Sequence, residues 1–124
     1  MFTHIMVGSN HLEKSRLFYD AVMGALGHKN AMPAGATRCV YRTEQGAFIV
    51  GPPADGQTAS HANGGTVGFK AVSHEQVVAF HAAGLANGGA DEGQPGVRNG
   101  MGRPMYGAYL RDPDGNKLCA FTIG

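Results

Sequence analysis

The chain's 124 residues, 43% hydrophobic and 15% charged, suffice for one domain with a proper core and are too few for two enzyme-sized ones. A net charge of +1 without any clustered Lys/Arg run argues against a nucleic-acid track or an anionic membrane surface, and no stretch approaches the ~18 apolar residues of a membrane span. The expected partner is a small molecule or a second copy of the chain, and the 20 glycines imply strands on frequent, short turns.

The opening MFTHIMVGSNH has neither the basic start nor the sustained apolar run of a signal peptide, and Cys39 and Cys119 sit in no CxxC or secreted-scaffold spacing. Reduced thiols in a cytoplasmic protein are expected. FTHIMVG alternates as a strand, with Phe2, His4 and Met6 on one face. A helix should follow, with Asn10 and Glu13 as a capping box, Phe18, Val22 and Leu26 on its buried face and Gly27 as its stop. TRCVYRTE and GAFIVG then read as two strands around a turn at Glu44 to Gly46.

The second half repeats this order. GTVGFKAV reads as a strand, Ser73 and Gln76 as a capping box, and Val77, Phe80 and Gly84 as a buried helical face. Sliding the chain so that His4 falls on Thr66 also places Phe18 on Phe80 and Gly27 on Gly89, and a longer slide lays YRTEQG (41–46) on LRDPDG (110–115). Two modules, about 1–55 and about 64–124, are expected to pack on each other within one domain spanning 1–124, since neither could bury its own sheet. The glycine- and proline-rich runs at 52–65 and 87–104 read as loops, the second bordering whatever the sheet encloses.

HIMVGSNHLEKSRLFYDAVMGALG, GTVGFKA and GAYLRDPDGNKLCAF, in this order within an internal duplication, resemble the glyoxalase/bleomycin-resistance/extradiol-dioxygenase superfamily, also called vicinal oxygen chelate proteins. The resemblance covers nearly the whole chain. It implies an α+β fold of two paired βαβββ modules forming an open curled mixed sheet, a cup with its helices outside, often completed by a homodimer. Enzymes of that superfamily hold a divalent metal in the cup, where it chelates adjacent substrate oxygens.

Carried over position by position, the metal ligands fall on His4, Val50, Thr66 and Cys119, so that one of the four is of the usual type. His4 and Cys119 remain as the candidate metal positions, short of the three or four protein ligands that tight metal binding uses. The resemblance therefore implies a cup that binds a small organic molecule with its usual metal site degenerate and no resident cofactor. The alternatives are a Zn-, Ni-, Mn- or Fe-dependent lyase or dioxygenase, with further ligands from elsewhere, and an antibiotic-sequestering protein that needs no metal.

Alternation places Phe2, His4, Met6, Phe48, Val50, Thr66, Gly68, Cys119 and Phe121 on the inward faces, a mostly apolar lining. Tyr106, Tyr109, Arg98 and Arg103 lie in or beside the second glycine-rich loop as a lid and wall for an anionic or aromatic ligand, and Lys70 shares a strand face with Thr66 and Gly68. Phe48, Thr66, Arg103, Tyr106, Tyr109 and Phe121 are the expected ligand-binding set. His11, His28, His61, His74 and His81 have no ligand spacing and are expected in solvent, and Arg111 and Asp112 read as a solvated turn flank.

Overall fold

The computed structural model describes residues 1–30 and 36–123. In chain order it runs β1 (His4–Gly8), α1 (Leu12–Ala25), β2 (Cys39–Thr43), β3 (Gly46–Gly51), β4 (Val67–Lys70), α2 (His74–Ala86), β5 (Ala90–Arg98), β6 (Met105–Arg111) and β7 (Lys117–Ile123). The strands form two open sheets, ordered β1-β3-β2 and β4-β7-β6-β5. Each is mixed, because β1 pairs parallel with β3 and β4 with β7 while the remaining pairs are antiparallel. The expected α+β architecture is present, carried by two sheets rather than one continuous one. The second half is a full β-α-β-β-β unit; among the described residues the first has β-α-β-β and an isolated bridge between Asn30 and Tyr41.

The run at 87–104, expected as a loop, contains strand β5. Its Gly93, Pro95 and Gly96 hide any alternation, and the pairing with β6 shifts register between Asp91 and Gly93 and again between Gly93 and Gly96. An edge strand tolerates such residues because one side of its ladder makes no sheet hydrogen bonds.

Helix α1 buries Phe18, Tyr19, Val22 and Met23 and ends as expected, with Leu26 packed in the core and Gly27 at φ 88°. Its expected capping box does not form. The N-cap is His11 without a side-chain bond, and the exposed Glu13 pairs instead with Arg16 at 2.7 Å. The Asn10 side chain binds the backbone of Ala59, while its N–H donates to Asp114 Oδ1 at 3.0 Å. A carboxylate from the far end of the chain thus sits at the positive end of α1, where a helix favours negative charge. Helix α2 follows expectation: Ser73 Oγ accepts from the Gln76 N–H at 3.1 Å, and Val77, Phe80 and Gly84 are buried. Gly84 admits Leu110, whose Cδ1 would lie 2.4 Å from a Cβ there.

The helices cover one face of each sheet. Phe18, Tyr19 and Val22 of α1, Val77 and Phe80 of α2, and Leu110 and Leu118 of the second sheet share one buried cluster, so both halves contribute to the same core. Asp112, expected as a solvated turn flank, is 4% exposed. Its carboxylate accepts from Tyr19 Oη, Asn116 Nδ2 and the backbone N–H groups of Asp114 and Asn116. His81, expected in solvent, is also 4% exposed and lies 2.8 Å from Asp91 Oδ1. Burial of both follows the general rule that enclosed polar groups are hydrogen-bonded.

Candidate functional site

The strand pairings divide each sheet into a helix-covered face and an open one. In the first sheet Cys39, Tyr41, Phe48 and Val50 lie under the helices, whereas His4 registers with Ala47 and Met6 with Ile49 on the open face. Phe48 and Val50 therefore belong to the core and not to the cup, with Phe48 packed 5.1 Å from Tyr19 and 5.0 Å from Phe69 between ring centroids. The cause is a one-residue difference between hairpins. Arg42 pairs with Ala47, five residues on, while Arg111 pairs with Lys117, six residues on. The position matching Cys119 is thereby Ile49, and a slip of one residue turns a side chain to the opposite face. Ile49 has no donor atom either.

The open face of the second sheet is built in rows. Gly68, Cys119 and Tyr109 register side by side, and next to them Lys70, Phe121 and Gly107. A Cβ on Gly107 would fall 2.4 Å from the Phe121 ring, and one on Gly68 would fall 3.2 Å from Cys119 Sγ. The glycine at 107 thus lets Phe121 lie across the sheet, edge-on to Tyr109 at 5.5 Å. Above these rows is a cavity of about 620 Å³ lined by Lys70, Met101, Arg103, Met105, Cys119, Phe121 and Ile123, among others. At the other end of the face a polar recess of about 250 Å³ is bordered by His61, Asn63, Thr66, Arg111 and Lys117.

Of the expected ligand-binding residues, Arg103 and Phe121 line the larger cavity and Thr66 the smaller one. Tyr109 lies on the open face between them, with Lys117 Nζ 5.1 Å and the Arg98 guanidinium carbon 5.9 Å from its ring centroid. Tyr106 does not join them. It packs against the core and stacks on His74 at 3.8 Å, one residue out of phase with Tyr109's face. Lys117, Met101 and Met105 were missed, although stepping back by two from Cys119 along its strand reaches Lys117.

His4 is exposed on the first sheet, its Nδ1 2.9 Å from Thr3 Oγ1, and Cys119 lies on the second. Burial pushes the Cys119 thiol up to about 11, with Lys117 pulling weakly the other way, so at neutral pH it is protonated and a poor ligand or nucleophile. Among the described residues no three His, Cys, Asp or Glu side chains gather closely enough to hold a metal ion, and residues 31–35 (AMPAG) include none of these types. One exposed imidazole and one protonated thiol on different sheets do not fit a divalent metal site within this chain.

Two mixed α+β halves, each with a helix-covered face and an open one, define a protein of the glyoxalase-like fold. The chain is 52% identical to a glyoxalase/bleomycin resistance protein from Albidiferax ferrireducens T118, over 97% of both chains and with a TM-score of 0.91. It belongs to the glyoxalase/bleomycin resistance protein family. The same fold is found in a glyoxalase-related enzyme from Fulvimarina pelagi (15% identity, 98% of this chain and 86% of that one, TM-score 0.77). It recurs in a lactoylglutathione lyase from Agrobacterium tumefaciens (16% identity, 98% and 92%, TM-score 0.66). No protein-family model and no curated protein matches the sequence. Among the described residues no helix is long and apolar enough to cross a membrane.

Proposed function

We propose that the 124 residues act as one domain that captures a small organic molecule on the open face of the β4-β7-β6-β5 sheet, without a resident metal. The observation that carries this reading is the cavity of about 620 Å³, which lies within the range of small-molecule sites and combines Phe121, Met105 and Ile123 with two cations. The donor set argues in the same direction: of the four family ligand positions, His4 keeps an imidazole and Cys119 holds a protonated thiol. Two buried free cysteines suit a reducing, cytoplasmic setting. The working unit is a homodimer, supported by the apolar side chains left in solvent on and beside the open faces, among them Phe2, Met6, Met101 and Ile123.

The test uses the uncharged fluorescent probe N-phenyl-1-naphthylamine. Micromolar binding is expected, weakened about tenfold by Phe121→Ala through loss of the aromatic shelf. Failure to bind overturns the reading. Elemental analysis after incubation with Zn, Ni, Mn and Fe salts and buffer exchange should find well under one metal per chain. Stoichiometric retention that His4→Ala abolishes would instead establish a metal site at His4 and favour the metal-dependent lyase or dioxygenase reading.

A further inference from the structure

The charges of the second half are sorted by face. Its five Lys and Arg residues are Lys70, Arg98, Arg103, Arg111 and Lys117, and its five carboxylates are Glu75, Asp91, Glu92, Asp112 and Asp114. Lys70 and Arg103 line the larger cavity, Arg111 and Lys117 the polar recess, and Arg98 and Lys117 flank the Tyr109 ring between the two. All five cations therefore border the open face. The carboxylates are spent elsewhere: Asp91 is held by His81, Asp112 by Tyr19 and Asn116, and Asp114 by Asn10 and Ser15, while Glu75 stands in the first turn of α2. Among the described acidic side chains of this half, Glu92 alone reaches this face, 3.3 Å from Arg111 Nε. Among the described residues, the other four cations make no ion pair.

We infer that the ligand of this cup is an amphipathic organic anion, its apolar or aromatic body on Phe121 and Met105 and its acid group between Lys70 and Arg103. The inference rests on the small-molecule reading above and adds the chemical class. A cavity walled by apolar side chains strengthens the attraction between its rim cations and an entering anion, and the uncompensated charges of Arg98 and Lys117 raise the potential along the whole face. A neutral ligand would gain the apolar contacts and nothing from the charges. The four unpaired cations also repel one another on one face, a destabilising arrangement that a bound anion relieves.

The test compares two probes with one skeleton: N-phenyl-1-naphthylamine, which is neutral, and 1-anilinonaphthalene-8-sulfonate, which carries one acid group. At low salt the sulfonate is expected to bind about tenfold tighter, an advantage that shrinks in 0.5 M NaCl as surface charges are screened. Lys70→Gln and Arg103→Gln should each remove about threefold or more of the sulfonate's affinity and a smaller share of the neutral probe's, in line with the strength of charge-assisted contacts. Equal binding of the two probes, or equal losses for both in these variants, overturns the anion inference and leaves the small-molecule reading intact. Binding of neither probe overturns both.

Discussion

Tyr19, in the helix of the first half, donates its phenolic hydrogen to Asp112 Oδ2 in the turn of the second, at 2.5 Å. Asn116 Nδ2 joins the same carboxylate to the Gly8 carbonyl, and Asp114 of that turn accepts from Asn10 and Ser15. The DPDG turn is thus a clasp between the halves, and Asp112 within it is buried because its carboxylate is matched.

Tyr19→Phe should loosen the clasp. It removes one of four donors to Asp112 in a buried site, a change that costs about 1–3 kcal/mol. Urea denaturation would measure it, and unchanged stability would show that the bond contributes nothing net.

The start of α1 offers a contrast. Asp114→Ala removes the carboxylate that takes the Asn10 N–H and the Ser15 hydroxyl and should destabilise by about 1 kcal/mol, the net size of a hydrogen bond. Glu13→Ala should leave the melting temperature unchanged, since Glu13 is exposed and no capping box exists. The reverse ranking by thermal denaturation would restore the local capping box.

Acid should act through Asp91. Its carboxyl is held below the usual carboxylate range, first by the hydrogen bond to His81 and then by the Gly93 N–H. A depressed folded value means that this stabilisation is fully present above the unfolded value, about 3.9, and is lost as pH falls through the lower folded value. Denaturation midpoints measured from pH 2 to 6 should decline less steeply in Asp91→Asn than in the parent.

The Cys119 thiol gives the alkaline counterpart. Because burial pushes it up to about 11, its contribution to stability is complete below the unfolded thiol value of about 8.5 and disappears as pH rises through 11. Native protein should react slowly with iodoacetamide at pH 7.5, and Cys119→Ser should keep probe binding while flattening the alkaline loss of stability. Rapid alkylation of Cys119 at neutral pH would contradict a protonated, buried thiol.

Gly107→Ala tests the floor of the cup. The new Cβ would meet the Phe121 ring, which must move, at about 1–3 kcal/mol in stability as for other overpacked sites. Weaker binding of N-phenyl-1-naphthylamine should accompany the change, and an unaltered affinity would remove Phe121 from the site.

Much of this molecule was written in its sequence because the relevant forces are local. The faces of α1 and α2, the Ser73 cap, the Gly27 stop and the repeated strand-helix order follow from periodicity and glycine backbone freedom, and the family resemblance follows from three motifs in order. The tertiary structure decided what depends on distant partners. A one-residue difference between hairpins turned Phe48 and Val50 into the core, and Pro95 and the glycines around it became a strand because β6 was there to pair with it. Asp114 reached the start of a helix some hundred residues away, and five scattered cations converged on one open face where, of the five acidic side chains of that half, Glu92 alone meets them. Alternation tells which residues share a side of a strand, but only packing and pairing decide which side faces the helices and which faces a ligand.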